Sequence, residues 1–135
     1  MAFGIGQVVT HSGLAIMAKR MLGATPAQAE PKFLALGTGA TTAARTAAVT
    51  DTALSAELTE GRSGTNAGTT VTVNYTNDSY NVVNTIVMTG TRAIDESALF
   101  DQLASGGNMF TSSTFAVLNL TLGDSFGQNW TITNG

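Results

Sequence analysis

The stretch from residue 69 to 89 constrains the fold most. "TVTVNYT" sets Val71, Val73 and Tyr75 against Thr70, Thr72 and Asn74. "SYNVVNTIVMTG" continues the alternation, with Tyr80, Val82, Asn84, Ile86 and Met88 in one set and Val83, Thr85, Val87 and Thr89 in the other. A helix would scatter either set around its circumference, whereas a strand places each on one side. The pattern predicts two strands joined at "NDS" (77–79), a β-hairpin. Further strands are expected at about 91–100, 113–121 and 127–133, with "ASGGN" and "LGDSFG" as turns. Upstream, "KFLALG" reads as a short buried strand after the loop "TPAQAEP".

The N-terminal part has a different period. "MAFGIGQVV" reads as an uncharged extended arm ending in a short strand. Ser12 is then placed to cap a helix. Leu14, Met17, Ala18, Met21 and Leu22 form one apolar stripe, with Lys19 and Arg20 off it near the end, where cations suit the helix dipole. Gly23 suits the C-terminal cap. A helix over about 12–22 follows. "TALSAEL" is expected to form a turn of helix capped by Asp51 or Thr52, and "TEGRSGTNAGT" (59–69) a flexible loop or hairpin tip. The expected fold is mainly β: an antiparallel β-sandwich or small barrel (β-tulip-like) with one short N-terminal helix. Residues 1–11 are the arm and short strand, and 12–135 a single β-rich domain.

Composition narrows the function. Charged residues are 11% of the 135, against a usual ~25%. Their place is taken by Thr, Ser, Asn, Gly and Ala. Two readings of this stay open: a neutral Thr-rich β surface, or a surface covered by neighbours in an assembly. A net charge of −3 gives no broad basic footprint, so a nucleic-acid partner is not expected. No apolar run approaches the ~18 residues of a membrane span. A signal peptide is not expected either, because Lys19 and Arg20 fall where its apolar core would lie. The chain has no Cys, which removes thiolate metal sites and cysteine nucleophiles.

Each candidate site has a plainer reading. His11, the single His, lacks a nucleophile elbow and cannot build a histidine metal site alone. "GTGATT" (37–42) lacks the third Gly and the Lys-Ser/Thr pair of a phosphate loop, so a turn is expected. In "AIDESALFD" (93–101), Asp95 and Glu96 are adjacent and on a regular strand would face opposite ways, which defeats a carboxylate pair. No D-x-D-x-D spacing suggests calcium. The acids are expected to cap backbone groups or pair with Arg, while Ile94, Leu99 and Phe100 anchor core. No metal or cofactor is expected.

Five segments in order carry a resemblance: "VVTHSGLAIMAKRMLG", "KFLALGTGATTA", "DTALSAEL", "AIDESALFD" and "GNMFTSSTFAVLNLTLGDSFGQNWTIT". Together they resemble a family of small virion structural proteins of tailed bacteriophages. The matching positions are Gly13 and Leu14; Ala35 to Gly39; Thr52 to Leu54 with Glu57; Ile94, Glu96, Leu99 and Phe100; and Gly123 to Ser125 with Trp130 and Ile132. Ser97-Ala98, Phe126 and "HSG" depart from the family's usual residues. The resemblance spans nearly the whole chain. It implies a β-rich domain, symmetric self-association as a homotrimer and no enzymatic activity.

The resemblance implies a capsid decoration (cement) protein. Such a protein binds the major capsid protein on the outer surface of the assembled head and stabilises it. A tail fibre or baseplate module attaching to host surface is the alternative. A hydrolase would need converging ionisable groups, which the sequence does not suggest. Contacts with capsid or neighbour are expected at Phe3, Ile5, Val8 and Val9 of the arm, and at the loop residues Arg45, Glu60 and Arg62.

Overall fold

A computed structural model describes residues 7–23 and 29–133. In chain order the elements are β1 (Gln7–Val9), α1 (His11–Met21), β2 (Phe33–Gly37), β3 (Thr69–Val71), β4 (Ser79–Val87), β5 (Arg92–Phe100), β6 (Met109–Leu120) and β7 (Ser125–Thr133). They form two antiparallel sheets, β1-β6-β5-β2 and β3-β4-β7. The expected class holds as a two-sheet β-sandwich with one short helix. The described strands close no barrel.

The helix begins one residue earlier than expected, and its cap is Thr10 rather than Ser12. The Thr10 hydroxyl accepts from Gly13 N at 3.1 Å and donates toward the carbonyls of Met109 and Phe110. One side chain thus starts the helix and ties it to β6. The buried face is also rotated from the expected stripe. Gly13 and Ile16 are buried, while Leu14 is 43% exposed and Met21 and Leu22 are 83% exposed. Gly13 explains the rotation, because it sits against the Phe110 carbonyl with no room for a Cβ. Gly23 takes a left-handed φ of +68° beyond the last turn, as a C-terminal glycine should.

The alternation over 79–87 is realised in β4. Val82, Asn84, Ile86 and the following Met88 are buried, and Val83, Thr85 and Val87 are exposed. The first arm of the hairpin is shorter than expected. β3 stops at Val71, leaving Val73 and Tyr75 54% and 74% exposed. Asp78 competes for the backbone there: its carboxylate accepts from the amides of Val73, Asn74 and Tyr75 at 2.8–2.9 Å. Three satisfied amides in a tight loop replace the ladder bonds that a longer strand would make.

The first sheet is buried on both faces over β2, most of β5 and the first half of β6, while Ala116 to Asn119 of β6 are exposed. Leu34, Leu36, Ile94, Leu99 and Phe110 face the second sheet, meeting Val82, Ile86, Met88, Trp130 and Ile132 in the main core. Ala35, Ala98, Phe100 and Met109 face outward into a second, smaller cluster covered by Leu54. The cover is the long segment between β2 and β3. It bridges to the open edge of β2 at Leu34–Ser63 and Gly37–Glu57. No helix forms at "TALSAEL", because its backbone bonds to β2 and Glu96 instead: Leu58 N donates to Leu36 O at 2.9 Å.

Candidate interaction surfaces

All nine carboxylates accept hydrogen bonds inside the chain. Glu57, Glu60 and Glu96 each bind an arginine side chain. Asp51 pairs with Arg45 at 2.7 Å and also accepts from Ala48 N and Ser112 Oγ. Asp78, Asp95, Asp101 and Asp124 cap backbone amides. Glu30 accepts from Gly68 N at 2.6 Å. Among the described residues no three acids or histidines cluster as metal ligands.

Asp95 and Glu96 correct one expectation. The β5–β6 register shifts between Ile94 and Glu96, so the strand's alternation resets there. Ile94 and Leu99, an odd number apart, both face the main core. Both carboxylates consequently bond to the same covering segment. Asp95 accepts from Ala40 N and Thr41 N at 3.1 and 2.7 Å. Glu96, fully buried, accepts from Arg45 at 2.5 Å, from Ser55 N at 2.6 Å and from Ala56 N at 3.2 Å. "GTGATT" is thus a turn whose amides are filled by Asp95. Asp101 closes the 101–108 turn through Asn108 N and Nδ2. These acids hold the fold, as expected of them.

The predicted contact residues divide. Phe3 and Ile5 lie outside the described residues. Val8 is half-buried in β1, but Val9 is 4% exposed and part of the main core. Its side chain is therefore not available to a partner. The three loop residues are tied into the chain. Arg45 spans Asp51 and Glu96. Arg62 is buried, binds Glu57 through two nitrogens, and lies 3.6 Å above the Phe100 ring. Glu60 accepts from Thr89 N and Arg92. Burial pushes its carboxyl upward, but the Arg92 and Thr89 bonds outweigh this and hold it at about 2. Sequence alone placed these charges in loops without showing which arginine each acid would meet.

The outward face of β4 and β7 carries no charged residue. The outward positions of the second sheet are Asn81, Val83, Thr85 and Val87 on β4 and Ser125, Gly127, Asn129, Thr131 and Thr133 on β7, all of them partly or fully exposed. At its tip, the Asp78-clamped loop presents Val73 and Tyr75. The tip was hidden in the sequence by the apparent continuation of the strand.

A groove of about 420 Å³ lies where α1 meets the second sheet. Ile16, Met17, Phe110 and Ile132 form its apolar wall, with Arg20, Glu30 and Tyr80 bringing polar atoms. Burial and the neighbouring Glu30 carboxylate push the Tyr80 hydroxyl well above its usual range. The hydroxyl donates to the Pro31 carbonyl at 3.0 Å. Residues 24–28 lie outside the described residues. Comparison of the chain with protein-family models, with curated proteins and with solved structures finds no match in any of the three.

Proposed function

We propose that this chain is a non-enzymatic virion structural protein of a tailed bacteriophage: a capsid decoration (cement) protein that binds the major capsid protein on the outside of the assembled head. The sequence resemblance motivates the reading. The observation that carries it furthest is the internal use of all nine carboxylates and of Arg45, Arg62 and Arg92. On the outward face of β4 and β7 this leaves Asn, Thr, Ser and Val to meet the surroundings. Such a surface can be covered without stripping water from charged groups, the main cost of burying a polar face. Binding only the assembled shell would stabilise that shell by mass action. Self-association belongs to the same proposal, as does a place on the virion surface.

The alternative, a tail fibre or baseplate module attaching to the host surface, draws on one observation. The clamped tip presents an exposed Tyr75, and a rigid aromatic is a common anchor in recognition surfaces. The two readings differ in copy number. Quantitative mass spectrometry of purified, DNA-filled particles would measure the ratio of this chain to the major capsid protein. A ratio near one, or a simple fraction of it, supports decoration. A ratio of a few percent sinks that reading in favour of the tail, and absence from particles sinks both.

A further inference from the structure

Sheet edges are where a β protein meets other chains, because an edge strand carries unpaired amides and carbonyls. Most edges here are short or closed. β1 and β3 have three residues each. β2 is covered by the 38–63 segment, through Leu34 N to Ser63 O at 2.7 Å and Thr38 N to Ala56 O at 2.9 Å. Beyond its pairing with β1, the edge of β6 stays open among the described residues over 114–120.

β7 is different. It pairs with β4 over nine consecutive residues, and no other described strand pairs with it. It lacks every usual guard. "SFGQNWTIT" contains no Lys, Arg, Asp, Glu or Pro. Its register with β4 is unbroken by any bulge. The strand beside it presents only Asn81, Val83, Thr85 and Val87 outward.

We infer that the free edge of β7 is an assembly surface whose occupant is β7 of a second copy, running antiparallel about a two-fold axis. The product is a continuous six-stranded sheet, β3-β4-β7 joined to its mate. Self-pairing sets each strand against its own charge pattern, so any charge on β7 would face its like or a near neighbour. Having none, this edge carries no such penalty. Full overlap of the nine residues centres the axis on Asn129. Asn129 then faces Asn129 of the mate, Gly127 faces Thr131, and Ser125 faces Thr133. The amide pair at Asn129 and the hydroxyl pair of Ser125 with Thr133 are suited to cross-strand bonds. The edge selects a two-fold contact, which differs from the homotrimer that the sequence resemblance implies. It depends on no assumption about capsids.

The absence of Cys makes the test clean. Single variants Asn129→Cys, Gly127→Cys and Thr131→Cys would be oxidised in the otherwise intact chain, with Ser105→Cys as a distant exposed control. Directly opposed strand residues lie about 4.5–5.5 Å apart, within disulfide reach. Asn129→Cys should cross-link to itself. Gly127→Cys and Thr131→Cys should cross-link more efficiently mixed than alone, and Ser105→Cys should not cross-link. Light scattering across a dilution series should give a dimer. Asn129→Lys should weaken that dimer about tenfold or more by setting two ammonium groups face to face, with the far-UV circular dichroism of the chain unchanged. A chain that is monomeric throughout, or trimeric, or a dimer indifferent to Asn129→Lys, overturns the inference. So does cross-linking without positional preference.

Discussion

Glu96→Gln should detach the segment that covers the outer face of the first sheet. The carboxylate is fully buried and holds that segment at four bonds: Arg45, Ser55 N, Ser55 Oγ and Ala56 N. The amide has nearly the same shape. It keeps one acceptor for the Ser55 and Ala56 amides, but turns an NH₂ toward Arg45. Removing one partner of a buried ion pair costs about 3–5 kcal/mol. Here Arg45 keeps Asp51 at 2.7 Å and is 18% exposed, so the loss should fall to about 2–4 kcal/mol. A domain of this length should melt roughly 10 °C lower. Urea unfolding followed by circular dichroism measures the global loss. Amide exchange then separates local release from global weakening: Ser55, Ala56 and Leu58 should exchange faster than the β4–β7 ladder. A double-mutant cycle with Arg45→Gln should return a coupling of about 1 kcal/mol or more. If Glu96→Gln lies within about 0.5 kcal/mol of the parent, the carboxylate does not hold the segment and the reasoning fails.

Gly13→Ala should reverse the usual helix rule. Alanine normally stabilises a helix by about 1 kcal/mol over glycine, but here the methyl would meet the Phe110 carbonyl and Val9, so thermal unfolding should show a net loss of about 1–3 kcal/mol. Arg62→Lys keeps the charge but loses the two-nitrogen bond to Glu57 and the planar stack on Phe100; chemical denaturation should register about 1–3 kcal/mol, and equality with the parent would refute the stacking role. Glu60 has a folded-state pKa depressed from 4.5 to about 2. Its contribution is therefore complete above about 4.5 and lost as pH falls toward 2. The stability gap between the parent and Glu60→Gln should close across that window and stay constant above it. Deleting residues 2–6 should weaken particle attachment if the arm makes the contact. A deletion reaching residue 9 should also lower the melting temperature, because Val9 is core.

The sequence exposed what depends on period and hid what depends on tertiary neighbours. β4 was legible because its alternation is regular and its inner set is apolar apart from Asn84. Even Asn84 fits, since its side-chain amide is satisfied by Lys32 O and by the backbone of Asn66. The phase of α1 was not legible from apolar spacing. The docking face is chosen by a residue with no side chain, Gly13, and hydrophobicity is silent about close approach. The end of β3 was hidden for a similar reason: "TVTVNYT" alternates to its last residue, and only Asp78 diverts the backbone. β5 was read as an ordinary strand, while its register shift at Asp95 decides where two carboxylates point.

The low charge content is easier to understand once those carboxylates are placed. The first sheet would otherwise present Ala35, Ala98, Phe100 and Met109 to water, an apolar face of the kind that promotes unwanted association. A helix could have covered it. This chain uses a segment with little regular structure, whose amides need acceptors that no ladder supplies. Asp95, Glu96 and Asp51 provide them for Ala40, Thr41, Ser55, Ala56 and Ala48. Arg45 and Arg62 in turn neutralise Asp51, Glu57 and Glu96. The charges are thus concentrated where an irregular cover meets a sheet, and the regular second sheet needs few. That division leaves the β3-β4-β7 sheet with an uncharged outward face on β4 and β7 and with one long unguarded edge. Covering the β2 and β5 part of the first sheet in this way leaves the edge and outer face of the second open to another chain.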